Sequence, residues 1–127
     1  MRPNVLLIVA HDVGRHLGCY GVPETGSNHL DGLAAGGVRL AQFFSTSPQC
    51  SPARASLVTG RYPHSHGVIG ICSPIFGFDL HADERTLGQL LGDAGYRTAL
   101  VGIQHETLHT ERLGFEDHLA HHRPPPK

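Results

Sequence analysis

The chain has 127 residues, 39% of them hydrophobic, and carries 10 basic against 11 acidic side chains for a net charge of −1. These values describe an ordinary soluble globular protein with room for one modest domain. Its basic residues are scattered without an aromatic ladder, which excludes a nucleic-acid surface, and its 3 cysteines, Cys19, Cys50 and Cys72, lack the spacing of a disulfide framework.

Taken in chain order, residues 4–10 are a continuous apolar run after Pro3, as expected of a central strand buried on both faces. The run is too short to cross a membrane and lacks the flanks of a secretory signal, so the chain as written is expected in the cytoplasm without a membrane partner. Residues 28–35 read as a capped amphipathic helix with Leu30, Leu33 and Ala34 on one side, stopped by Gly36 and Gly37. Residues 38–44 are expected to be extended. In residues 50–61 (CSPARASLVTGR), Ser51 and Pro52 signal a helix start, residues 53–58 a short helix and Gly60 its end. Residues 86–94 predict a second amphipathic helix with Leu87, Leu90 and Leu91 inward, and residues 97–101 a strand. This alternation favours an α/β fold, a mainly parallel sheet flanked by helices, over residues 1–120, with residues 121–127 (HHRPPPK) as a disordered tail.

Chemistry is expected at two places. Cys50 stands beside a predicted helix N-terminus, where unpaired amides and the helix dipole favour an anion, and Arg54 lies one turn further on. A buried thiol before a helix is the plainer alternative. Asp12 follows the first predicted strand, at the carboxyl edge where ligands of parallel sheets collect, though a loop or cap aspartate would look the same. His105-Glu106-Thr107-Leu108-His109 also spells His-Glu-x-x-His, which on a helix would bind zinc and leave Glu106 to activate water, a remote zinc-peptidase alternative. His64 and His66 read as loop-shaping residues, Cys19 and Cys72 as small apolar fillers, and Asp79, Asp83 and Glu84 as solvated loop charges.

The blocks RPNVLLIVA (2–10), Asp12, LGCYG (17–21), LDGLAAGGVRL (30–40) and CSPARASLVTGRYPHSHG (50–67) occur in one order. With them the chain, from Arg2 to about Phe115, resembles the N-terminal part of the sulfatase family within the alkaline-phosphatase-like superfamily. The resemblance implies a sulfuric ester or sulfamate hydrolase in which Cys50 is oxidised to formylglycine. One hydroxyl of the hydrated aldehyde attacks sulfur, and the second expels sulfate. Ser51, Pro52 and Arg54 then belong to the signal for that oxidation, read by a formylglycine-generating or anaerobic sulfatase-maturating enzyme, and Arg54 also steadies the hydrate. Asp12 matches the second member of an Asp-Asp pair that binds calcium, with the modified Cys50 facing the same ion. A sulfated small molecule or glycan is the implied substrate.

The chain departs from the family pattern at two positions. His11 stands where the first aspartate is usual, replacing a hard oxygen donor with an imidazole better suited to transition metals. In Gly102-Ile103-Gln104-His105, matched to Gly-Lys-x-His, His105 keeps the acid–base or sulfate-binding histidine while Ile103 loses the lysine. Because sulfatases run to several hundred residues, with further site groups later in the chain, the expectation is an N-terminal fragment with an incomplete sheet, inactive alone. A phosphonate monoester or phosphodiester hydrolase of the same superfamily, or a noncatalytic remnant, are the alternatives.

Overall fold

The computed structural model describes residues 2–122, without the side chains of residues 120–122. The chain divides into two compact units, Met1–Phe43 and Phe44–Lys127. Among the described residues no helix is long and apolar enough to cross a membrane.

The first unit holds helix α1 (Asn28–Ala35), preceded by single 3-10 turns at Gly18–Tyr20 and Pro23–Thr25. Asp31 ties them together: its Oδ1 accepts from the Cys19 amide at 2.7 Å and from the Ser27 hydroxyl at 2.9 Å, while Ser27 Oγ accepts from the Gly18 amide at 2.7 Å. Ser27 thus fastens the preceding turn instead of capping the helix. A Cβ on Gly18 would lie 2.3 Å from Asp31 Oδ2, so any other residue there would push Asp31 out of these bonds.

Two expected strands are absent here. Residues 4–10 carry no ladder, and their side chains lie open, Leu6 at 85% and Ile8 at 74% exposure. Residues 38–44 are interrupted by a turn at residues 41 and 42. A strand exists only where a neighbour takes up its amides and carbonyls, and neither run has one among the described residues.

The second unit contains α2 (Cys50–Thr59), α3 (Pro63–His66), α4 (Leu87–Asp93), β1 (Ala99–Gln104) and β2 (Asp117–His122). The strands pair in parallel, from Ala99 opposite Asp117 to Gln104 opposite His122. The α/β class and the parallel sense hold. The strand predicted at 97–101 lies slightly further on, and β2 occupies His121 and His122, the start of the expected tail; residues 123–127 lie outside the described residues. The polar, histidine-rich sequence of β2 has no apolar run to announce it.

Ala55, Val68, Cys72, Leu80 and Leu113 form the core of this unit, with Val58, Leu100, Leu108 and Phe115 packed against it. Helix α4 starts in a capping box. Thr86 Oγ1 accepts from the Gln89 amide at 3.4 Å, and Gln89 Oε1 accepts from the Thr86 amide at 3.0 Å. The Thr86 hydroxyl also donates to the Leu113 carbonyl at 2.6 Å. The helix approaches the 110–113 turn so closely that a Cβ on Gly88 would meet the Leu113 carbonyl at 2.3 Å. Its inner face is therefore Thr86 and Gly88, and Leu90, expected inward, stays 50% exposed.

Two of the three charges expected to be solvated are structural. Asp79 pairs with Arg112 at 2.9 Å while its Oδ1 accepts from the amides of Leu80 and Leu108. Glu84 has a side chain only 2% exposed and pairs with Arg61 at 2.7 Å. A carboxylate so deeply buried requires such a partner. Asp83 alone is exposed as expected.

Candidate active site

Helix α2 begins two residues earlier than its Ser51-Pro52 start signal suggests. Gln49 is the N-cap residue in extended conformation, Cys50 is the first helical residue, and Pro52 is the third. The Ala53 amide makes the first helical bond, to the Gln49 carbonyl at 3.2 Å. Pro52 has no N–H, so Cys50 and Ser51 carry the amides of the tip that have no acceptor within the helix. Ser51, expected as the cap, is fully buried, and its hydroxyl accepts from the Cys72 amide at 2.9 Å. The helix ends as expected at Gly60, with φ of 68°.

The cysteines of this unit differ in kind. Cys50 is half-buried at the helix tip, whereas Cys72 is 4% exposed. Burial, with the nearby charges of Asp79 and Glu106, pushes the Cys72 thiol up to about 12, so it stays protonated and unreactive. Cys72 is the filler that its sequence suggests. The buried-thiol alternative does not describe Cys50.

Arg54 follows Cys50 by four residues and so lies on the same face of α2. Its side chain is 15% exposed, and Nη1 lies 4.0 Å from Oε1 of Glu106, itself 7% exposed. Glu106 stands in the loop beyond the carboxyl end of β1, beside His105. Gln104, the last residue of the strand and fully buried, builds that loop with its amide group. Its Oε1 accepts from the amides of Glu106 (3.0 Å) and Thr107 (3.3 Å), and its Nε2 donates to the Thr107 carbonyl (3.0 Å) and Thr110 Oγ1 (2.9 Å). Glu106 Oε2 in turn accepts from the His105 amide at 2.6 Å.

This geometry removes the zinc-peptidase alternative. Residues 105–109 are not helical, so His105 and His109 do not share a helical face. Glu106 is engaged by Arg54 and its own backbone, and His109 Nδ1 lies 3.5 Å from Glu111. Ile103, near the end of β1, is 60% exposed and apolar.

His66 braces α2 from α3. It is fully buried; Nδ1 accepts from the Val68 amide at 3.2 Å, which leaves Nε2 to carry the proton toward Ser56 Oγ at 3.0 Å. Burial lowers its pKa, and the negative charge of Glu84 acts in the opposite sense. Its role is the structural one read from the sequence.

The first unit carries His11 and Asp12. Asp12 has φ of 54°, a left-handed conformation that aspartate tolerates better than most residues, and its Oδ2 lies 3.3 Å from His11 Nε2. This sets one carboxylate oxygen and one imidazole nitrogen side by side.

Of the residues singled out from the sequence, Cys50, Arg54 and His105 belong to the second unit and His11 and Asp12 to the first. In the sequence Glu106 stands out only as part of the His-Glu-x-x-His pattern. Nothing local in the sequence links it to Arg54, since the pair forms only when the end of β1 meets α2.

The family model for sulfatases matches residues 3–123. The chain is 40% identical over 129 residues to steryl-sulfatase of Homo sapiens, covering 95% of this chain and 22% of that protein. It is 40% identical over 123 residues to arylsulfatase A of Bos taurus, covering 95% of this chain and 24% of the relative. A solved structure from work on the metabolism of multiple glycosaminoglycans by Bacteroides thetaiotaomicron superposes with a TM-score of 0.67 at 27% identity, over 84% of this chain and 25% of that one. The chain therefore spans about a quarter of the length of the relatives it matches.

Proposed function

This chain belongs to the sulfatase family, and from that premise we propose that it supplies the nucleophile-bearing part of a sulfuric ester hydrolase, with Cys50 converted to formylglycine. The observation that carries the reading is the position of Cys50: first residue of α2, half-buried, with Arg54 one turn on. A hydrated formylglycine would supply one hydroxyl to attack sulfur as the alcohol leaves, and a second to expel sulfate and regenerate the aldehyde, while a bound divalent cation such as Ca2+ would supply Lewis acidity.

The chain's own residues have separate duties. The amides of Cys50 and Ser51 favour an anion at the tip of α2, and the Arg54 guanidinium offers hydrogen-bond donors one turn along. His105, beyond the end of β1, is the group to contact sulfate or protonate the leaving oxygen. Within the first unit, His11 and Asp12 offer an imidazole nitrogen and a carboxylate oxygen that would hold the cation. The relatives' names point to aryl and steryl sulfates and the solved structure to glycosaminoglycans, so the substrate class is a sulfated small molecule or glycan. The partner in maturation is a formylglycine-generating or anaerobic sulfatase-maturating enzyme.

Coexpression with either maturation enzyme, followed by an aminooxy label, tests the reading. Labelling of the wild-type chain but not of Cys50→Ala is expected. No label, in cells that do convert a control sulfatase, would count against it.

A further inference from the structure

We propose that Glu106 is a specificity-determining residue, one that withholds from a doubly charged phosphate monoester the advantage that Arg54 alone would give it over a singly charged sulfate ester. The inference rests on the reading of Cys50 and Arg54 as sulfate-handling groups, and it concerns a carboxylate to which that reading gives no part.

Three observations carry it. Glu106 Oε1 lies 4.0 Å from Arg54 Nη1, and both side chains are largely removed from solvent, at 7% and 15% exposure, where charges are weakly screened. The carboxylate is also held in place: Oε2 accepts from the His105 amide at 2.6 Å, and the Glu106 amide is held by Gln104 at 3.0 Å. Ile103, 60% exposed beside this loop, brings no second cation. The Arg54–Glu106 pair is thus neutral as a unit.

The consequence follows from Coulomb's law. Sulfate and phosphate monoesters share tetrahedral shape and oxygen acceptors, but above about pH 6 the phosphate carries a second negative charge. Beside a lone guanidinium, attraction grows with ligand charge and the phosphate wins. Beside a neutral pair most of that difference cancels, and the shared hydrogen bonds decide. Removing the charge of Glu106 should therefore strengthen binding once for the monoanion and twice, in logarithmic terms, for the dianion.

The test is calorimetric binding of p-nitrophenyl sulfate and p-nitrophenyl phosphate to the unconverted chain at about pH 8, so that no turnover intervenes. In Glu106→Gln, which keeps the shape and one acceptor oxygen, the sulfate should bind about tenfold tighter and the phosphate about a hundredfold tighter. Equal strengthening of the two esters, or none, overturns the proposal. A second measurement needs no variant: in the wild-type chain, affinity for the phosphate should fall with added salt no more steeply than affinity for the sulfate. A steeper fall, or saturable binding of neither ester, overturns it as well. Because the aldehyde at Cys50 is read separately by labelling, failure of this charge relation and failure of the family reading are told apart.

Discussion

Ser56 and His66 are joined by a 3.0 Å hydrogen bond that locks the middle of α2 to the end of α3, with the imidazole completely buried. The Val68 amide donates to the other ring nitrogen, and that second bond exists only for the neutral imidazole. The groups around it are Glu84, Arg61 and His81, whose ring lies against Gly67 and whose amide donates to the His66 carbonyl at 3.1 Å.

A pH dependence of stability follows. The folded-state pKa of His66 is lowered from 6.5, chiefly by burial. The unfolded chain therefore takes up a proton that the folded chain resists. His66 contributes its full stability above pH 6.5, and loses it as pH falls below that value toward the lower folded one. Thermal unfolding followed by circular dichroism should show a melting temperature that drops through this window. His66→Gln should flatten the drop, and an unchanged slope in that variant would show that other groups cause it.

Arg61 and Glu84 make a second test, because the burial is one-sided: the Arg61 side chain is 52% exposed and that of Glu84 2%. Arg61→Ala strands a buried carboxylate and should cost about 2–3 kcal/mol in urea unfolding. Adding Glu84→Gln to Arg61→Ala should restore part of that loss. If the double variant is less stable than Arg61→Ala, the carboxylate charge is not what was left unpaired.

Gln104 should matter more than its polarity suggests. Gln104→Leu keeps the volume but leaves the amides of Glu106 and Thr107 without their acceptor, a loss of about 2–4 kcal/mol. Hydrogen exchange gives the sharper readout. Protection of those two amides should collapse, while that of α4 falls only by the global loss of stability.

How much of this could be read from the chain depends on the range of the interaction. Signals contained within a few residues were legible: Gly60 ends α2 in a left-handed turn, and the helix predicted at 86–94 was found at Leu87–Asp93 behind its Thr86 cap. Interactions between distant segments were not. Asp79 and Arg112 are 33 residues apart, and Asp79 looked like any loop carboxylate. Residues 4–10 have a strand's composition but no ladder among the described residues, while the polar β2 is a strand because β1 pairs with it. Within the site, Cys50 and Arg54 were evident from one motif, whereas Glu106 required the fold.

The central claim is that Cys50 is a formylglycine precursor. Mass spectrometry of the peptide containing Cys50, from protein made alongside an active maturation enzyme, tests it most directly. Conversion of the thiol to the aldehyde should lower the peptide mass by roughly 18 Da. An unmodified cysteine, beside a control sulfatase converted in the same cells, would contradict it.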